Sequence, residues 1–368
     1  MTSRNSLRLA IWPFLAARAA VGVAYLVASH LLVGYGTQDA DYITGRGLAA
    51  WDGDWYRSIV EHGYFGSSYE ARRFFPLFPS LVMPVAKVIG NTDVALVLVA
   101  NACAFGALIA LAQLLREFGY DERVVARALW WMCLFPAAAC YVFGYSESLM
   151  VMLSCLMILA WRRDRYWEAA ALGVLVGLTR PVGVLIAAQV LWDLWNRRQD
   201  RPVSTLMRGL IVAISPMIGL GAFFMWLQLN GGSWRDPLTI QSQLRAGFVD
   251  PVSRTVHMVT RLVTQDMRDV YVLAFVAIAI TVMIAAASRM QRSWVAYLAV
   301  TIAVALAANN VDSFGRYVIA VFAMPVALAL GVARITKDSP KFHHAALVGS
   351  CVGLVVLTAL SWRGLYTP

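Results

Sequence analysis

Two carboxylates stand two residues apart in an aromatic frame, Trp51-Asp52-Gly53-Asp54-Trp55-Tyr56. A carboxylate can take a proton from a sugar hydroxyl, and aromatic rings stack on pyranose faces, so these residue types suit sugar transfer. They equally suit a belt of interfacial aromatics with solvated carboxylates. Two carboxylates at this spacing can also share a divalent ion, although no third ligand stands nearby. Residue types alone leave these readings open.

Two arginines extend the set. Arg180 lies in Leu178-Thr179-Arg180-Pro181-Val182-Gly183, a cation in an apolar stretch, where such a residue either pairs with an anion or marks a functional pathway. Glu147 is a candidate partner, and snorkelling to the interface is the alternative. Arg316, in Ser313-Phe314-Gly315-Arg316-Tyr317, begins an apolar run at the end where basic residues are disfavoured. A lipid-linked phosphate would explain both, because guanidinium donors match phosphate oxygens. The segment from Asp236 to Gln243 adds further polar residues to the same side.

The elements that carry these residues are apolar. The chain is 60% hydrophobic and 14% charged, against about 45–50% and 25% in soluble domains, and its mean hydropathy is +0.64. Runs of about 20 apolar residues closed by arginine clusters read as membrane-spanning helices, too continuous for barrel strands. The net charge of +10 sits largely in short loops, so it reports topology rather than nucleic acid. All five cysteines fall in apolar stretches without ligand spacing and read as buried free thiols. The first run, Ile11 to Val33, is too long for a cleaved signal sequence and reads as a retained anchor.

Basic residues at Arg4 and Arg8 place the N-terminus in the cytoplasm. Residues 34–75 then form a first outer loop, with Trp51, Trp55, Tyr56 and Ile59 at the spacing of an interfacial helix. The run from Pro76 to Ile89, about 14 residues, is short for a span and reads as re-entrant or interfacial. Crossings are expected over Val94–Leu115, Val124–Phe143, Leu149–Trp161, Leu206–Leu229, Val270–Ala287, Val295–Ala308, Tyr317–Val332 and Ala345–Ser361. The run from Trp167 to Trp195 has basic clusters at both ends, Arg162-Arg163-Arg165 and Arg197-Arg198-Arg201. It must therefore enter and leave on one side, as two short helices broken near Thr179-Arg180-Pro181. The count comes to about eleven helices in one all-α domain spanning 1–368, with a second outer loop over 230–268.

Several of these segments together resemble one family. Trp51-Asp52, Trp55-Tyr56, Ile59, Glu61-His62-Gly63-Tyr64 and Phe74-Phe75-Pro76-Leu77-Phe78-Pro79 look like the signature of the PIG-V-type mannosyltransferases, in the GT-C superfamily of polytopic glycosyltransferases. Tyr145-Ser146-Glu147-Ser148, Thr179 to Gly183, Asp236-Pro237-Leu238 with Gln243, and Ser313 with Arg316-Tyr317 follow in the family's order. Trp55 stands where eukaryotic members commonly carry His, which resembles bacterial relatives.

The resemblance implies a GT-C-like bundle, a mannosyl donor on a polyprenyl phosphate, inverting transfer and a loop-one aspartate as base. Asp52 matches the family's Trp-Asp pair. The expected roles are then Asp52 as base and Arg316 or Arg180 on the donor phosphate. Asp54, Trp51, Trp55, Tyr56, Glu147, Asp236, Gln243 and Tyr317 would line the sugar and acceptor pocket. No metal or other cofactor is required if arginines take the electrostatic role. Expected partners are the lipid-linked sugar, a glycolipid or glycan acceptor and membrane lipid, with no nucleic acid. The competing class is a lipid-linked sugar transporter or flippase, whose broken helix at Arg180-Pro181 would line an anion site.

Overall fold

In a membrane every backbone polar group must be paired internally, and the apolar runs meet that demand as helices. The computed structural model describes residues 2–198, 202–247, 249–263 and 270–368, and its regular structure there is helical throughout. Arg201, and residues 248 and 264–268 of the expected second outer loop, lie outside the described residues.

Among the described residues, four helices have the length and composition to cross a bilayer: Ser6–Leu31, Thr92–Glu117, Val203–Leu229 and Pro340–Trp362. The first consists of α1 (Thr2–Leu26) and a π turn over Val27–Leu31. Between it and the next span come α2 (Ala40–Gly45), α3 (Asp52–Gly66) and α4 (Leu77–Ile89). The second span is α5 (Thr92–Glu117), started by Asn91, whose side chain accepts from the Val94 amide at 3.1 Å. Then follow α6 (Glu122–Leu134), α7 (Glu147–Arg162), α8 (Tyr166–Gly177) and α9 (Ala187–Arg197). The third span is α10 (Val203–Leu229). It is followed by α11 (Asp236–Leu244), α12 (Pro251–Val263), α13 (Val270–Ala286), α14 (Arg292–Leu306), α15 (Phe314–Ile319) and α16 (Ala323–Ile335). The fourth span, α17 (Pro340–Trp362), is the last helix.

The break expected at Arg180-Pro181 is present. Helix α8 stops at Gly177, Arg180 is extended at φ −157° and ψ 148°, and a 3-10 turn over Pro181–Ile186 leads into α9. Two other runs expected to be continuous are also broken, which corrects the sequence reading. The run Val124–Phe143 is helical only to Leu134, because Pro136 removes an amide donor and biases Phe135 to extended backbone (φ −61°, ψ 144°). A 3-10 turn over Ala138–Tyr141 replaces the helix there. The run Tyr317–Val332 divides into α15 and α16, since the Pro325 ring would strike the Val321 carbonyl of an unbroken helix.

Each break frees backbone carbonyls in an apolar interior, where an unpaired one is expensive. Arg18 of α1 answers the first, donating to Tyr141 O at 2.9 Å and to Asn101 Oδ1 at 2.8 Å, while Asn101 Nδ2 donates to Val142 O at 2.9 Å. Elsewhere small residues let helices meet backbone to backbone. A Cβ at Gly177 would strike the Pro216 carbonyl and one at Gly219 the Val174 carbonyl, so α8 and α10 cross through their glycines.

The bundle has two chemically different ends. One is laced by ion pairs at helix termini: Arg116–Glu122 at 2.5 Å, Arg163–Glu117 at 2.7 Å, and Arg127 and Arg289 on Asp338 at 3.0 and 3.3 Å. The other brings together loop 34–75, the start of α7, the α8–α9 break and α15.

Candidate functional site

Helix α3 begins abruptly. Trp51 precedes it in a left-handed conformation (φ 60°, ψ −118°), which costs a non-glycine residue energy and persists only where surrounding contacts fix it. Two hydrogen bonds fix it: Trp51 Nε1 donates to Ser361 O at 3.2 Å, and the preceding Leu48 carbonyl accepts from Gly144 N at 2.8 Å. The second bond sets loop one beside the segment that opens α7, three residues before Glu147. Asp52 thereby becomes the first helical residue, where helix-end amides favour an anion. Further along α3, Gly63 (φ 71°, ψ 177°) kinks the helix in a conformation closed to other residues.

Asp52 then meets Arg316 from the far end of the sequence. Arg316 Nη1 lies 2.7 Å from Asp52 Oδ2. The same guanidinium places Nε 3.4 Å from Glu147 Oε1, and Arg180 Nη1 approaches that oxygen at 2.6 Å. Arg180 Nη1 also donates to Ser146 Oγ at 3.3 Å, and Ser146 shares a 2.7 Å hydrogen bond with the Tyr56 hydroxyl. Four charges from four separate segments thus form a line, Asp52–Arg316–Glu147–Arg180. Snorkelling gives way to pairing for Arg180, since it is buried and ion-paired with Glu147.

Burial divides the two acids. The Glu147 side chain is 0% exposed, whereas that of Asp52 is 16% exposed. Burying a charge is tolerable only when it is paired, so Glu147 anchors two arginines while Asp52 keeps a face open at the edge of the cluster. Aromatic rings close around the arginines: Arg316 lies 5.4 Å from the Tyr145 ring centroid and 5.9 Å from that of Tyr317, and Arg180 lies 5.8 Å from the latter.

Other expected site residues fall outside this line. Asp54 turns away from Asp52: Arg46 Nε lies 2.9 Å from its Oδ1, and the Tyr42 hydroxyl donates to its other oxygen. That hydrogen bond to Asp54, aided by burial, raises the Tyr42 pKa. The two carboxylates therefore engage different guanidiniums. Asp236 instead joins the start of α11 to the 3-10 turn over Tyr69–Arg73, holding Arg72 at 2.8 Å and Tyr69 at 3.2 Å. Burial pushes its pKa up, but the Ser233 amide, Arg72 and Tyr69 outweigh it and hold the carboxyl below its ordinary value. Trp55 stacks on Phe74 at 5.9 Å, with Arg73 5.5 Å from the Trp55 ring centroid. Gln243 is exposed on α11.

Sequence reasoning missed Arg245, which stands 4.8 Å from the Tyr317 ring centroid. Nothing local signals it, since the ring is reached only through the fold. It also missed Arg18, for which the signal was present: a cation inside an apolar run, the same feature that singled out Arg180.

A rat protein, GPI alpha-1,6-mannosyltransferase 2, is 30% identical over 151 residues, which amount to 38% of this chain and 30% of the relative's own length. That stretch is short of the relative's whole architecture. Residues 37–228, which carry Asp52, Glu147 and Arg180, match the family Mannosyltransferase (PIG-V), and the chain belongs to that family of membrane-associated glycosyltransferases.

Proposed function

We propose that the chain transfers mannose from a polyprenyl-phosphate donor to a lipid-linked or envelope glycan acceptor, with inversion, at the end of the bundle that holds Asp52. The observation that carries this reading is the 2.7 Å pair between Asp52 and Arg316, in which the carboxylate keeps an open face. A base and a phosphate-binding cation in contact let one site serve both the bond that forms and the bond that breaks.

In the proposed step an acceptor hydroxyl loses its proton to Asp52 as its oxygen attacks the anomeric carbon. The bond from that carbon to the phosphate oxygen breaks, and the electron pair leaves with polyprenyl phosphate. Arg316 orients Asp52 and faces the phosphate, and Arg180 is held beside it through Glu147. Trp51, Trp55 and Tyr317 supply flat apolar faces for the sugars; Tyr56, expected among them, is instead buried against Phe74, Phe78 and Ser146, and Asp236 ties the second outer loop to the first. On the positive-inside tendency the arginine-rich end is cytoplasmic and the site extracytoplasmic, with about eleven helices, several of them short or broken, making up the membrane domain.

The test incubates the purified protein in detergent or liposomes with polyprenyl-phosphate mannose and a panel of glycolipid acceptors, and looks for a mannosylated product by mass spectrometry. Product formation with release of polyprenyl phosphate is expected. Movement of the labelled donor across liposomes without any glycosidic product would replace the reading with a flippase.

A further inference from the structure

Arg180 and Arg316 each have a carboxylate within ion-pair distance, Glu147 and Asp52 respectively. Arg245 approaches the same place from the end of α11, 4.8 Å from the Tyr317 ring centroid, and its guanidinium pairs with no carboxylate among the described residues. Around one ring, then, three guanidiniums stand against two carboxylates, which leaves one positive charge in excess. Arg180 and Arg316 are buried and Arg245 is half-buried at their edge, so the excess positive charge faces the open side of the cluster, where it favours an anion.

The backbone holds Arg245 there deliberately. Ala246 adopts φ 52°, a left-handed conformation unfavourable for alanine, and Gly247 follows at φ 90°. The turn is pinned to the segment that leads into α15: Asn310 N donates to Arg245 O at 3.1 Å, Asn309 N to Gly247 O at 3.3 Å and Val249 N to Ala307 O at 3.2 Å. Six residues beyond Asn310 the chain reaches Arg316, so the two arginines belong to one braced unit. Arg73 and Arg72 also lie on aromatic rings of loop 34–75, but on Trp55 and Phe74 and on Phe65 and Tyr69 respectively, not on the Tyr317 ring.

We infer that Arg245 is a further residue that receives the phosphate of the lipid-linked donor, beside Arg316; this rests on the donor reading proposed above. Arg316 and Arg180 are largely neutralised by their carboxylates, and Arg245 supplies the free charge. The donor is a phosphodiester with one negative charge, and the leaving polyprenyl phosphate is a monoester that gains charge as the anomeric bond breaks. A fixed cation therefore favours the transition state over the bound donor, and its loss is expected in turnover as well as in affinity.

The test measures binding of a short-chain polyprenyl monophosphate and of the matching polyprenol to the full-length protein and to Arg245→Gln and Arg245→Lys. Inorganic phosphate and phosphatidylglycerol serve as competitors. The wild type is expected to prefer the phosphate over the alcohol, and Arg245→Gln to lose that preference by about tenfold or more while binding polyprenol unchanged. Arg245→Lys should keep part of it, since a point charge replaces a planar fork. Turnover of Arg245→Gln should fall by about 10²-fold. If Arg245→Gln keeps the wild-type preference, Arg245 has no phosphate role and the donor reading stands. If the wild type itself binds phosphate and alcohol alike, the donor reading falls too. Should Arg245→Gln not fold, Arg245→Lys decides: a lysine variant with the full wild-type preference for phosphate, where a partial loss is expected, overturns the assignment. Competition by phosphatidylglycerol equal to that by polyprenyl monophosphate would also overturn it, in favour of a general anionic-lipid site.

Discussion

Arg180 Nη1 lies 2.6 Å from Glu147 Oε1 in an interior where the glutamate has no exposed surface. The pair joins the start of α7 to the break between α8 and α9, so the broken helix is fixed by charge as well as by Pro181.

Removing one partner of such a pair leaves an uncompensated buried charge, at a cost of about 3–5 kcal/mol. Arg180→Met is therefore expected to lower the melting temperature in detergent markedly. Glu147→Leu should do so too, since it strands Arg180 and leaves Arg316 with Asp52 alone. The double variant Glu147→Leu/Arg180→Met should recover part of the loss, because no unpaired buried charge remains between them and the contacts then lost are the longer ones to Arg316 Nε at 3.4 Å and Ser146 Oγ at 3.3 Å. Fully additive losses in this cycle would show that the two side chains do not stabilise each other.

Asp52→Asn tests the base without disturbing the cluster's interior. Asparagine keeps the shape and can still accept from Arg316, but it cannot take the acceptor's proton, so transfer should fall by about 10²–10⁴-fold with donor binding and melting temperature nearly unchanged. Wild-type turnover would remove Asp52 from the chemistry.

Asp54→Asn should behave differently. Its carboxylate is engaged by Arg46 and Tyr42 rather than by Arg316. The expected outcome is a lower melting temperature with a milder loss of turnover. Loss of turnover equal to that of Asp52→Asn, in a folded protein, would move the base two residues along.

Asp236 gives loop two a pH dependence. Its pKa is lowered in the folded protein, so the stability it contributes is fully present above its ordinary value of 3.8 and disappears as pH falls through the lowered pKa. Proteolysis at residues 230–263 by an acid-active protease should accelerate below about pH 4 in the wild type, and Asp236→Asn should show that susceptibility already at pH 7. Equal cleavage rates of the two proteins at pH 7 would mean that the Arg72 contact does not hold the loop.

Orientation can be read by thiol labelling. Gln243→Cys and Glu122→Cys place exposed thiols at opposite ends of the bundle, and four of the five native cysteines are buried. An impermeant reagent added to intact cells should label position 243 and spare position 122. Labelling of both from one side would overturn the proposed topology.

Composition and charge were enough for the class of this protein, because a bilayer imposes its length and polarity rules on the chain one segment at a time. The break at Arg180-Pro181 was legible for the same reason: basic clusters at both ends and a proline between them are local facts. The breaks at Phe135 and Ala320 were equally within reach of Pro136 and Pro325, but an uninterrupted apolar run masks a helix that stops inside it. What no local pattern could give is which carboxylate meets which arginine. Asp52 and Asp54 are chemically alike and two residues apart, yet a helix turns successive side chains about 100° each, and that rotation sends one to Arg316 and the other to Arg46. The choice belongs to tertiary structure, because an ion pair between residues 264 positions apart forms only once packing has brought α3 and α15 together.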